Sequence, residues 1–264
     1  KLKQLGYKQE PSRALSVFEN VSIALSDVSP TTGVFMQLAV VIAMAGTGAF
    51  WSYALGGIVA LCVALTMGEL GSQYPISGGL YSIVMRVLGE PLGFLAFVDY
   101  LFQGAFIPGT VGLAAATYLA PLLGVPVLVL APIIMVVAVL IAISNINLGA
   151  KFVGVFLAVE LCVILVVTIA AFAHPVQPLS VLFQPITFTA DAATSSPVPA
   201  GIIFAAITVA LFSFNGYDSA INFSEETSGA AANVGKSVFS AAWLGIAFQL
   251  VPLVGIILTA PNLK

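Results

Sequence analysis

Apolar stretches, divided by short polar or Pro/Gly-rich segments, run through the whole chain. They fall roughly at 16–46, 51–73, 91–120, 125–143, 149–173, 199–224 and 237–259. A helix needs about 18 or more apolar residues to cross about 30 Å of hydrocarbon, and the pattern predicts seven such spans. Two of them carry polar and helix-breaking residues at mid-length. The first contains Ser26-Asp27-Val28-Ser29-Pro30-Thr31-Thr32-Gly33, and the sixth contains Ser213-Phe214-Asn215-Gly216-Tyr217-Asp218.

Composition points the same way. Hydrophobic residues make up 60% of the chain, charged residues 7%, and the mean hydropathy is +1.11. Soluble domains average about 45–50% apolar and 25% charged residues. The expected class is therefore an all-α integral membrane protein, with a polar tail at 1–15 and a transmembrane domain at 16–264. With the N-terminus in the cytoplasm, Lys1, Lys3, Lys8, Arg13, Arg86, Lys151 and Lys236 lie inside, and of the eight basic residues only Lys264 lies outside. That is the positive-inside bias for a seven-span thread, and it suits a multi-pass protein of the cell membrane. The polar connection 174–198 then lies outside, with room for a short surface helix. The sequence starts without Met and stops just after an apolar segment, so it reads as a fragment cut after helix seven.

Charge and chemistry narrow the function. The net charge is −3, and the few basic residues form no nucleic-acid patch. His174 is the only histidine, so a Ser-His-Asp site or a His-ligated metal lacks its second member. Gly229 stands one residue too far from Gly235-Lys236-Ser237 for a phosphate loop, and no strand precedes it. No enzyme activity, cofactor or metal is expected. Cys62 and Cys162 read as small buried hydrophobes. The sequons at Asn20 and Asn222 fall on or in the inner half of the membrane and read as chance.

The interruptions carry more. Pro30 removes a donor and disfavours helix at Ser29, and Gly33 and Gly216 ease an unwound turn. Unpaired backbone is excluded from lipid, so a break must face protein or a wet cavity. Each break exposes a half-helix N-terminus that attracts carboxylates and a C-terminus whose carbonyls attract ammonium. Two breaks together make a cradle for a zwitterion. Intramembrane acids are costly and usually face the bundle interior. They are Asp27, Glu69, Asp99, Glu160 and Asp218. Glu69 reads as an interface residue and Asp99 as a snorkelling or paired group. Glu160 is deep, has no basic partner on its own helix, and is either a proton-relay group or a hydrogen-bonded structural carboxyl.

A family resemblance rests on three segments. Gly68-Glu69-Leu70-Gly71-Ser72-Gln73-Tyr74-Pro75-Ile76-Ser77-Gly78-Gly79-Leu80-Tyr81 resembles the second-helix signature of the amino acid–polyamine–organocation superfamily. Phe214-Asn215-Gly216-Tyr217-Asp218 with Glu225-Glu226 resembles its sixth-helix pattern, and Thr32-Gly33-Val34-Phe35 the end of its first break. Thr31 stands where the family often has glycine. Glu160 stands where some proton-coupled members carry lysine, which is closer to the GABA and choline permease branch. The resemblance implies a LeuT-type fold whose helices one to five and six to ten form inverted repeats. This sequence would hold the first repeat and two helices of the second.

The reading is a permease moving amino acids or related small amines by alternating access, proton-coupled or exchanging. Backbone N–H groups around Thr31, Thr32 and Gly33 are expected to hold the substrate carboxylate. Carbonyls near Ser26 and Phe214 are expected to hold the amine, with Asn215, Gly216 and Asp218 in the same site. Phe214 is the expected gate. Glu160 is the candidate for coupling to a proton or cation, and lipid is the remaining partner. The rivals are a choline or polyamine carrier, a non-transporting scaffold or truncated remnant, and, last, a membrane enzyme. The thread makes a topology prediction: a single cysteine at Thr194 reacts with an impermeant thiol reagent in intact cells. Labelling only after lysis would overturn it.

Overall fold

The computed structural model describes residues 15–76, 78–143, 146–187 and 196–260. The tail with Lys1, Lys3, Lys8 and Arg13, together with Ser77, Thr194 and Lys264, lies outside the described residues, as does the side chain of Lys151. Among the described residues the secondary structure is helical, with no strand beyond two isolated bridges.

Helix α1 (Val17–Val28) opens on a reciprocal cap. Ser16 Oγ accepts the Glu19 N–H at 3.2 Å, and the Glu19 carboxylate accepts the Ser16 N–H at 2.8 Å, which satisfies two first-turn donors. It ends at Ser29, held left-handed at φ 46° and ψ 72°. The chain restarts as α2 (Pro30–Thr32), passes through a π-helical turn at Gly33–Gln37, and continues as α3 (Leu38–Ala45). Pro30 suits a first-turn position because its missing N–H has no helical partner there. These pieces form the first span. Gly46, at φ 53°, then turns the chain through Gly46–Gly48 into α4 (Ala49–Gln73).

A short helix, α5 (Gly79–Leu88), occupies the connection before the third span. Next come α6 (Glu90–Leu123), α7 (Val127–Ala142) and α8 (Ile146–Ala173). The sixth span is split into α9 (Ala200–Ser213) and α10 (Ser219–Asn222), and α11 (Ala230–Thr259) is the seventh. Val17–Gln73, Glu90–Leu123, Phe152–Ala173 and Ala230–Thr259 are long and apolar enough to cross a membrane, while Val127–Ala142 and Ala200–Ser213 are shorter apolar helices. Among the described residues, helices lie at all seven expected positions, with breaks in the first and sixth.

Packing is set by small residues, as in membranes generally, where backbones gain contact by close approach. The most extensive pairing is α4 with α11, flanked by α1 on α11 and α9 on α4. Gly68 and Gly235 meet backbone to backbone: a Cβ on Gly235 would stand 2.8 Å from the Gly68 carbonyl oxygen. Buried Ala60, Ala64, Ala241 and Ala242 continue the seam. Cys62 and Cys162 correct the sequence reading, since both are exposed on the outside of the bundle. In hydrocarbon an apolar thiol gains little by facing protein rather than lipid, so apolar surroundings in sequence do not imply burial.

Two sets of hydrogen bonds join distant parts. The start of α1 is tied to the segment after α10, with the Leu15 N–H donating to the Glu226 carbonyl and the Ser228 N–H to the Leu15 carbonyl, both at 2.9 Å. Asn20 Nδ2 adds a bond to the Ala220 carbonyl at 3.3 Å. Asn20 is fully buried, in keeping with a chance sequon. At the other end of the first span, Thr47 Oγ accepts the Ile186 N–H at 2.9 Å, and Trp51 Nε1 donates to the Leu182 carbonyl at 2.9 Å. These bonds dock the short helical turn Leu179–Phe183, which the sequence anticipated in this loop.

The Gly68–Gly235 approach yields a stability prediction. Gly235→Val forces α4 and α11 apart and is expected to cost about 1–3 kcal/mol. The thermal midpoint of the detergent-solubilised protein should drop, while Gly201→Val, where a Cβ meets nothing within 4 Å, should leave it near wild type. Equal midpoints for both variants would contradict the seam.

Candidate functional site

The two interruptions touch. Gly216 has φ 117°, and a Cβ there would lie 2.7 Å from both the Asp27 carbonyl carbon and the Val28 nitrogen. Only glycine combines that conformation with so close an approach. The backbone freed at each break finds local partners, as burial in an apolar medium requires. The Ser29 N–H donates to the Leu25 and Ser26 carbonyls at 3.2 and 3.1 Å, and the Asn215 N–H donates to the Phe212 carbonyl at 3.2 Å. The Ser29 and Thr32 hydroxyls pair at 2.7 Å.

Neighbouring helices brace the junction. Gln249 of α11 is fully buried. Its Nε2 donates to the Ser213 carbonyl at 2.9 Å, and its Oε1 accepts from the Ser213 hydroxyl. Gly33 leaves the space that this amide fills. Behind it, Phe214 is 1% exposed and meets Tyr53 edge-on at 5.4 Å. From α8, Glu160 Oε1 accepts both the Thr31 N–H at 2.8 Å and the Thr31 hydroxyl at 2.7 Å. A protein carboxylate therefore already sits at the start of the second half of the first span, where negative charge is favoured.

Beside the junction lies a cavity of about 410 Å³, within the usual range for small-molecule sites. The first span contributes Asp27, Ser29, Thr32 and Gln37, and the sixth contributes Asn215, Gly216, Asp218 and Ser219. The third span adds Tyr100 and Gln103. Met36, Val40, Ile107, Val111 and Phe212 supply an apolar wall. Tyr100 donates its hydroxyl to Asp218 Oδ2 at 3.0 Å, which fixes that carboxylate. Gln37 belongs to the π-helical turn, a local widening often found at functional sites.

Of the residues singled out in the sequence, Thr32, Asn215, Gly216 and Asp218 line this cavity. Thr31, Gly33, Phe214, Glu160 and Ser26 are not among its lining residues, and Ser26 contributes its carbonyl to the end of α1. Asp99, one residue from the lining, accepts a 2.7 Å bond from Gln103 Nε2. Sequence reasoning missed Gln37, Tyr100, Gln103 and Gln249 and left Asp27 without a role. A signal existed for most of them. Tyr100 and Gln103 are three apart and share one helix face, and Gln249 is an isolated amide in an apolar span.

The touching breaks are open to test. Gly216→Leu cannot keep both its backbone conformation and the contact with Asp27-Val28, and should cost more than about 1 kcal/mol. Its thermal midpoint in detergent should fall well below that of Asn215→Ala, which sits beside it without that constraint. Matching midpoints would count against the contact.

Comparison with known proteins agrees with this architecture. The family model described as "Amino acid permease" matches residues 15–262. Amino-acid permease BAT1 of Arabidopsis thaliana is 44% identical over 82 residues, which is 31% of this chain and 16% of the relative. The serine/threonine exchanger SteT of Bacillus subtilis (strain 168) is 40% identical over 96 residues, 35% of this chain and 22% of the relative. The methylthioribose transporter of the same bacterium is 25% identical over 269 residues, 94% of this chain and 55% of the relative. The matched region thus spans between 16% and 55% of the length of these three relatives. With a family match along nearly its whole length and a broken first and sixth span in contact, the chain belongs to the amino acid permease family of the amino acid–polyamine–organocation superfamily.

Proposed function

We propose that this chain forms the substrate-binding part of a secondary carrier that moves amino acids across the cell membrane, with its N-terminus in the cytoplasm. The observation that carries the reading is the cavity lined by residues of both helix breaks, the place where carriers with broken helices bind their cargo. The names of the relatives, an amino-acid permease and a serine/threonine exchanger, support an amino acid as the cargo. A scaffold or remnant without transport has no need of such a cavity.

The site suggests how a zwitterion is held. Because Thr31 is engaged by Glu160, the substrate carboxylate is assigned to the Ser29–Thr32 end of the first span, and the α-amino group to the Asn215–Asp218 end of the sixth. Phe214, packed under Tyr53, serves as a wall in this conformation and becomes a gate only if that pair separates. Glu160 is the coupling candidate: it links the break to α8, and a carboxylate there changes its hold on Thr31 with its charge.

Substituting Glu160 by Gln in the full-length carrier separates the possible roles. If Glu160 binds and releases the coupling proton, substrate exchange persists while accumulation against a gradient fails and its pH dependence flattens. If the carboxylate holds substrate directly, binding and exchange are both lost. Retention of accumulation and of the pH profile would end the coupling assignment.

A further inference from the structure

The second-helix signature ends near Gly78-Gly79, and the structure sets this pair at one end of the cavity. Both glycines adopt positive φ, 112° and 59°, a conformation that side chains rarely tolerate. They start α5, which packs along α6. Asn222, the last residue of α10, lines the cavity. Its Oδ1 lies so close to Gly79 that a Cβ on that glycine would collide with it. One residue further, the Leu80 backbone amide bonds to the Tyr100 hydroxyl, which itself donates to Asp218 Oδ2 at 3.0 Å.

This is the end of the bundle where α1, α6 and α11 begin and α4 stops. Here α10, four residues long with turns on both sides, is held from two directions. On one side α1 grips it and the segment after it by hydrogen bonds, Asn20 to the Ala220 carbonyl and Leu15 to Glu226 and Ser228. On the other side Asn222 rests on Gly79, with the Tyr100–Asp218 bond beside it. The two holds differ in kind. Glycine offers no side chain to interlock, so α10 and α5 can part without repacking, whereas parting α10 from α1 breaks several hydrogen bonds. Closure in a protein of this sort parts at the smoother joint, while the bonded pieces move as one body. We propose that the seat of Asn222 on Gly79 is the gate at this end of the cavity. With α10 on α5 the cavity is shut towards the cytoplasm, and α10 lifting away together with α1 opens it. Gly79 is needed for that closure, since any side chain there would prop the gate ajar. This deepens the reading of the cavity as the substrate site, and rests on it and on the proposed orientation.

The test uses the full-length carrier with its native cysteines replaced and a single cysteine at Asn215, which lines the cavity. A membrane-impermeant thiol reagent is applied to right-side-out and to inside-out vesicles. Asn222→Ala empties the seat and should raise labelling from the cytoplasmic side several-fold, with labelling from the outside unchanged or slower. Gly79→Ala should act in the same direction because its methyl displaces Asn222, and should add little in the Asn222→Ala background. Gly201→Ala, where a Cβ meets nothing within 4 Å, should alter neither rate. If Gly79→Ala does not fold, Asn222→Ala decides alone. Unchanged rates in a folded Asn222→Ala carrier would overturn the proposal. So would a rise confined to the outside, or an equal rise from both sides, which marks general loosening. Labelling needs no substrate, so a carrier that moves no amino acid refutes the proposed function while the two labelling rates still judge the gate.

Discussion

Hydrocarbon supplies no hydrogen bonds, so a helix that stops in mid-membrane must find every partner within the protein. The chain meets this constraint by laying one break against the other. Gly216 brings the sixth span's backbone onto Asp27-Val28 of the first, and each break closes its own short turns beside that contact. Everything polar nearby follows from it. Gln249 fills the gap beside Gly33 and ties it to Ser213. Glu160 satisfies the Thr31 donors that the break at Ser29 and Pro30 leaves free.

The same constraint makes the junction useful. Helix ends that stop in mid-membrane carry partial charges on their unpaired backbone groups, and the cavity lies beside them. Glu160 accepts from the Thr31 N–H and hydroxyl at the start of the second half-helix, and Asp27 and Asp218 line the cavity beside it. The ties between the start of α1 and the segment after α10 join both broken spans into one body. Under the proposed function, that body is the part that would rock against its neighbours, as in carriers built from inverted repeats.

Much of this was legible in the sequence. Apolar runs announced the spans, and the Ser29-Pro30 and Asn215-Gly216 pairs announced the breaks, because both signals are local. Helix α5 escaped notice: ten residues are too few for a span, and it starts at Gly78 and Gly79, both at positive φ. The third span's share of the cavity escaped as well. Tyr100 reaches Asp218 across 118 positions, and Thr31 meets Glu160 across 129. A lone acid in an apolar helix shows that a partner is needed without showing which. Burial of the cysteines was misjudged because lipid and protein interiors select for the same residues.

The central claim is that substrate occupies the space between the two breaks. Asn215 lines that space, whereas Cys62 and Cys162 lie on outer faces and can be replaced by alanine to clear the background. A cysteine placed at 215 in the full-length carrier should be alkylated by a small thiol reagent, and saturating transported substrate should slow that reaction several-fold. A labelling rate unchanged by substrate, in a carrier that still transports it, would contradict the account.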